Sequence, residues 1–186
     1  MTRSSEPNRS RHTETDSAGV AMPPATEGHT YTVQESPLGT ARPLRIIGIG
    51  AGASGLNIIQ SLQEKLPANS YELTIYEKND SVGGTWYENR YPGCRCDVPS
   101  HNYQFSWRKN PEWSNFFSPA PEINAYLTKT AEEENMLPSI KMSHKVCGAL
   151  WDEDAAVWHL NVKNLETGVE FGDQAHFLLD ASGILK

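Results

Sequence analysis

The sequence predicts an α/β fold: a parallel sheet covered by helices, with an inserted β-meander. Three observations predict it. An apolar run, Leu44–Ile49, enters a G-x-G-x-x-G turn at Gly50, Gly52 and Gly55, and an apolar-periodic helix follows. A second apolar run, from Tyr71, ends in an acid, Glu77, which lies 22 residues beyond Gly55. Near the other end, three short strand-like runs separated by turn residues precede a last apolar run that meets a second glycine turn at Gly183. Strand, glycine turn, helix, strand and acid in this order make a Rossmann-like dinucleotide fingerprint.

Taken in order, residues 1–41 are rich in Ser, Thr, Pro and charge. They hold too little apolar area to offset ordering entropy and are expected to form a disordered leader. The first strand spans about 43–49. Its glycine turn has a division of labour: Gly50 permits the tight turn, Gly52 lets backbone approach a pyrophosphate, and Gly55 lets the helix pack on the strand. The first helix, about 53–66, places Leu56, Ile59, Leu62 and Leu66 on one side, with Pro67 beyond its end. A pyrophosphate belongs on the free amides at its start, where the macrodipole is positive. The second strand spans about 71–77. An acid about 20 residues past the glycines takes ribose hydroxyls, so Glu77 favours an adenosine with a free 2′-OH, as in FAD or NAD.

From Asn79 to Pro121 the chain reads as a long loop punctuated by Gly and Pro, carrying Trp86, Tyr87, Tyr91, Tyr103, Phe105, Trp107, Trp113, Phe116 and Phe117. So many aromatic side chains imply packing, and a large planar cofactor is a candidate partner. A helix of about 121–135 follows, with Pro121 suited to its first position and Ile123, Tyr126, Leu127 and Thr130 on its inner stripe. Glu132–Glu134 reads as a solvated face, because adjacent helical positions diverge. Runs at about 145–151, 156–163 and 169–172 form the meander. The run from His176 to Gly183 reads as a central parallel strand.

Composition excludes several classes. A formal charge of −7 argues against a nucleic-acid or anionic-membrane surface. No apolar run approaches the ~20 residues of a bilayer span, and no secretory h-region is present. Three cysteines, Cys94, Cys96 and Cys147, form no disulfide framework and point to a reducing, cytoplasmic setting. Cys94-x-Cys96 lacks metal-ligand spacing, the six histidines are scattered, and no Ser/His/Asp pattern emerges, so no metal is expected.

The most informative stretch for function runs from Gly83 to Ser100. Gly83 and Gly84 free backbone for close approach, Thr85 and Trp86 offer a hydroxyl and an aromatic wall, and Arg90, Arg95 and Asp97 supply charge. Flat walls, donors and tuned charge are what an isoalloxazine ring needs.

Gly-Gly-Thr-Trp (83–86), with Asn-Arg-Tyr-Pro-Gly-Cys-Arg-Cys-Asp-Val-Pro-Ser-His-Asn-Tyr (89–103) and the glycine turn, resembles the FAD-binding region of class B flavoprotein monooxygenases. Within them it is most similar to the Baeyer–Villiger type, in branches serving fungal secondary metabolism. Asp-Ala-Ser-Gly (180–183) is similar to the family's Ala-Thr-Gly turn, with Ser in place of Thr. The resemblance spans about residues 43–186. It implies that Glu77 holds the ribose, that Thr85, Trp86, Tyr87 and Glu88 line the flavin, and that Asp97, Val98 and Tyr103 flank its ring. Val146 then meets adenine through its backbone, and Arg95, Cys96 and Asp97 face the nicotinamide of NADPH. Gly50, Gly52, Ala53, Ser54, Gly55, Lys78, Gly84 and Gly183 complete the cofactor-binding set.

The implied reaction uses NADPH and O₂ to insert oxygen into a small-molecule ketone. The family fingerprint Phe-x-Gly-x-x-x-His-x-x-x-Trp and a second G-x-G-x-x-G/A do not occur, and the family's catalytic arginine lies beyond that second motif. No catalytic residue can therefore be assigned. The chain is expected to be the FAD half of such an enzyme, truncated before the NADPH domain and needing a C-terminal half or complementing chain. The alternative is a non-catalytic or vestigial FAD-binding module. An NAD-dependent dehydrogenase is weaker, having no use for Gly83–Trp86 or the Asp97 loop.

Overall fold

The computed structural model describes residues 39–40 and 42–184; residues 1–38 and 41, nearly all of the expected leader, lie outside them. Its first strand, β1 (Leu44–Ile49), runs into the glycine turn and helix α1 (Ala53–Lys65), and β2 (Tyr71–Tyr76) follows. Near the end of the chain β7 (Phe177–Asp180) returns beside β1. With the two-residue β3 (Ile140–Lys141) these strands form one parallel sheet in the order β3-β2-β1-β7. The meander β4 (His144–Asp152), β5 (Val157–Asn164) and β6 (Glu170–Ala175) is antiparallel, in sequence order.

The sheet separates two cores. On one face Leu56 and Ile59 of α1 meet Ile75, Val82, and Ile123, Leu127 and Ala131 of α3 (Ala120–Glu133). On the other, Ile47 and Tyr76 meet Leu160, Val162 and Ala175 of the meander. Strands covered on both sides read as near-continuous apolar runs, and Ile46–Ile49 does so after Arg45. Register places the site: Ile49 pairs with Tyr76 on one side and Asp180 on the other, so β1, β2 and β7 end together. Ligands of open α/β sheets bind beyond such carboxyl ends.

A polar clasp joins the two layers. Asp173 of β6 accepts from the Tyr76 hydroxyl at 2.6 Å and pairs with Arg45 at 3.0 Å, and Arg45 also donates to Thr74 at 2.9 Å. Burial works against the charge of Asp173, but bonds from Tyr76, the Gln174 amide and Arg45 outweigh it and hold the carboxyl below its ordinary value. Burial, then the bond to Asp173, push the Tyr76 phenol far above its usual range. The clasp therefore stabilises fully above the ordinary carboxylate pKa of ~3.9 and fades as pH falls through the lower folded-state value. Asp173→Asn is expected to cost about 2 kcal/mol at neutral pH, as for a hydrogen bond to a charged group. It should also flatten the acid limb of stability, which urea titrations from pH ~6 to ~3 will read.

Four local readings are corrected. Leu66 is 37% exposed because it caps α1 in extended conformation rather than continuing it. Ala120, not Pro121, starts α3, which stops at Glu133 before Asn135 turns left-handed with φ 51°. β7 stands at the edge of the described sheet, paired with β1 alone, rather than at its centre. Much of the aromatic loop packs on itself and on α3. Phe105 stacks on Trp107 at 4.6 Å, Trp113 leans on Tyr126, and the Tyr126 hydroxyl bonds Phe105 N and Arg108 O. Tyr91, Phe116 and Phe117 face solvent at 62%, 69% and 39% exposure. No helix among the described residues is long and apolar enough to cross a membrane.

Candidate dinucleotide-binding cleft

A cleft of about 420 Å³ opens where β1, β2 and β7 end. Its floor is the glycine turn. Gly50, at φ 96°, passes so close to β7 that a Cβ there would stand 2.8 Å from Ala181 O. Gly52 caps α1, which has no side-chain cap and no acidic residue in its first turn. The first amides of a helix have no partner within it, so this end offers uncompensated donors to an anion.

Glu77 is 3% exposed and sits one residue beyond β2. Its carboxylate accepts from Ala51 N at 2.6 Å and from Asn79 N at 2.9 Å. The acid therefore fixes the glycine turn as well as facing the cleft. Each oxygen keeps a further lone pair, so the group can still accept from ribose hydroxyls.

The second wall is Gly83–Glu88. Gly83 N donates to Ala51 O, tying this wall to the first, and Gly83 and Gly84 both take positive φ, 122° and 51°. A Cβ on Gly84 would come 3.1 Å from Gly52 Cα, so the two glycines leave a narrow cradle between backbones. The short helix α2 (Thr85–Glu88) is fixed by side chains at its far end: Glu88 pairs with Lys78 at 2.9 Å and accepts from Asn79 at 2.9 Å, and Tyr87 donates to Asp80. Trp86 Nε1 donates to the Tyr103 hydroxyl at 2.9 Å, with the rings edge to face at 5.3 Å. Burial chiefly pushes the Tyr103 phenol up, against the Trp86 bond, so it stays a neutral donor.

The third wall comes from the meander. Register on β4 shifts between Val146 and Gly148, leaving Cys147 as a bulge and unpairing backbone beside Val146. His144, Lys145 and Val146 line the cleft here, and Asp180–Gly183 closes it from β7.

Of the residues singled out in the sequence, the cleft gathers Gly50, Gly52, Ala53, Ser54, Glu77, Lys78, Gly84, Thr85, Trp86, Glu88, Tyr103, Val146 and Gly183. Gly55 is buried in packing, since a Cβ there would collide with Gly50 O. Tyr87 and Arg95 line a second cleft of about 630 Å³ behind Trp86. Cys96 is buried in the helix-side core with its sulfur accepting from Val98 N at 3.4 Å, while Asp97 and Val98 face solvent. Sequence reasoning missed Ile49, Tyr76, His144 and Lys145, which reach the cleft through strand register; Gly83 and Asp180–Ser182 stood within motifs already recognised.

Residues 49–120 match the model of an NAD(P)-binding Rossmann-like domain. An FAD-binding monooxygenase, moxY, of Dothistroma septosporum is 38% identical over 186 residues, covering 96% of this chain and 29% of that protein. A Baeyer–Villiger monooxygenase of Pseudomonas aeruginosa is 40% identical over 121 residues, 65% of this chain and 22% of that protein. The structure of an oxidized steroid monooxygenase bound to NADP superposes with a TM-score of 0.62 at 33% identity, over 76% of this chain and 26% of that one. The chain thus spans under a third of the length of these relatives. By sequence and by fold, it is related to the FAD-binding and Baeyer–Villiger monooxygenases and corresponds to their N-terminal portion.

Proposed function

We propose that residues 42–186 bind FAD in the cleft, as the flavin half of a cytoplasmic Baeyer–Villiger-type monooxygenase that uses NADPH and O₂ to insert oxygen into a ketone. The observation that carries this reading is the convergence of glycine turn, Glu77 and Gly84–Trp86 on one cleft at the ends of three parallel strands. The residues fit the group. The α1 amides hold the pyrophosphate, with Gly52 and Gly84 giving the room, and the Glu77 carboxylate accepts from the ribose. Val146, next to the Cys147 bulge, offers its backbone to the adenine. Trp86 and Tyr103 wall the isoalloxazine end, where the Tyr103 hydroxyl remains a neutral donor. Bound FAD supplies the redox chemistry with NADPH and O₂; the protein groups named here bind, orient and shield it.

NADPH use follows the NADP-bound relative, and a role in fungal secondary metabolism follows the fungal source of the moxY monooxygenase. Arg95 and Asp97 remain our candidates for the nicotinamide side. Both lie off the cleft lining, so they would meet NADPH from outside it.

The test is the visible spectrum of the purified chain with FAD, then with NADPH under air. A bound-flavin spectrum is expected. Bleaching with oxygen uptake would make the chain an enzyme by itself. Flavin that binds but resists NADPH would leave it a binding half that needs its complement. A chain that takes up no flavin would end the proposal.

A further inference from the structure

One imidazole in the cleft is bonded at both nitrogens. His144 Nδ1 lies 2.6 Å from Met142 O, an atom that can only accept, so Nδ1 carries a proton. Its Nε2 lies 3.3 Å from Asn164 Nδ2. The Asn164 amide cannot be turned over, because its Oδ1 accepts from the backbone N–H groups of Glu166 at 2.9 Å and Thr167 at 3.0 Å. Nδ2 therefore donates and Nε2 accepts, which defines the neutral Nδ1–H tautomer. A proton on Nε2 would set two donors face to face.

The same residue ties together the parts that bracket the adenosine end. Its backbone N–H donates to Glu77 O at 2.8 Å, directly behind the buried carboxylate. Its ring packs on Tyr76 and Phe171, with centroids 5.9 Å away in both cases. Two residues further on, Val146 lines the cleft, just before the β4 bulge at Cys147.

We propose that His144 is a positioning residue for the adenosine end of the cleft. Fixed as the Nδ1–H tautomer by Asn164, it holds the start of β4, and with it the Val146 backbone, in register with Glu77. The proposal rests on the FAD reading above. Both ring nitrogens are used within the protein, so His144 presents an uncharged aromatic surface to the cleft.

The experiment uses the full chain, labelled with ¹⁵N. Long-range ¹H–¹⁵N spectra without FAD read which nitrogen of His144 carries the proton, with the signal assigned by its loss in His144→Asn. Nδ1–H with a bare Nε2 is expected. Asn164→Asp keeps an acceptor for the Glu166 and Thr167 amides but turns the donor facing the ring into an acceptor. In that variant Nε2 should gain a proton. A wild-type Nε2–H, or an Asn164→Asp spectrum identical to wild type, overturns the tautomer lock whether or not FAD binds.

Titrations with FAD and with FMN, which has no adenosine, test positioning. His144→Phe keeps the ring between Tyr76 and Phe171 and removes both side-chain bonds; FAD affinity should fall about tenfold with FMN affinity unchanged. His144→Asn, whose amide can still donate to Met142 O, should stay within about threefold of wild type. Unchanged FAD affinity in His144→Phe overturns the positioning role. A wild-type chain that binds no FAD overturns the cofactor reading and this role with it, while the tautomer result stands apart.

Discussion

Gly52→Val is expected to abolish flavin retention while leaving the chain folded. Gly52 has φ −76° and ψ −167°, a conformation that any residue adopts, so a side chain adds no backbone strain. A Cβ there would lie 3.5 Å from Gly84 Cα, an ordinary contact. The two valine methyls beyond it must enter the cradle between Gly52 and Gly84, at the amides of α1 that a pyrophosphate needs. We expect FAD affinity to fall more than about 100-fold, roughly 3 kcal/mol. An unchanged melting temperature without FAD should show that the fold survives. Equal flavin content in the variant would remove the pyrophosphate from this turn. Neighbouring glycines separate by readout. Gly84, at φ 51° and with its Cβ position 3.1 Å from Gly52 Cα, strains the backbone when replaced. Gly55→Ala drives a methyl into Gly50 O and should act on folding before binding.

Features that depend on local spacing were legible in the sequence. The strand, turn and helix from Leu44 to Lys65 lie within a residue of expectation, because glycine positions and apolar period act over a few residues. Glu77 was legible because one helix and one strand fix how far the chain travels between the glycines and the end of β2. The meander was legible from its turns. His144 was not, because it enters the cleft only through the pairing of β3 with β2 and the bond from its amide to Glu77 O. The aromatic loop misled for a related reason. Composition says that rings must pack, but not on what, and the Tyr126 hydroxyl draws Phe105 and the Arg108 carbonyl onto α3. Of the loop's aromatic side chains Trp86 and Tyr103 line the cleft, joined by the bond from Trp86 Nε1 to the Tyr103 hydroxyl.

Glu77→Gln is expected to weaken both the ligand and the fold, which distinguishes it from Gly52→Val. A ribose-binding acid on a preformed turn would matter only to binding. Here each carboxylate oxygen already accepts a backbone amide, Oε2 from Ala51 and Oε1 from Asn79, in a position 3% exposed to water. The glutamine amide has one accepting oxygen, so its NH₂ must face one of those two N–H groups. A buried donor left unpaired costs about 1–3 kcal/mol. A loss near 2 kcal/mol corresponds to a melting temperature lowered by roughly 4–8 °C in a chain of this size. Ala51 stands between Gly50 and Gly52, so the disturbance falls on the turn itself. FAD affinity should then drop about 10–100-fold, from the lost ribose acceptor and the loosened pyrophosphate cradle together. Melting curves with and without FAD separate the two parts. A variant that melts like wild type without FAD yet binds it poorly would make Glu77 a ligand group alone. A variant that melts early and still binds FAD with wild-type affinity would mean that the ribose is held elsewhere and that Glu77 serves only the turn.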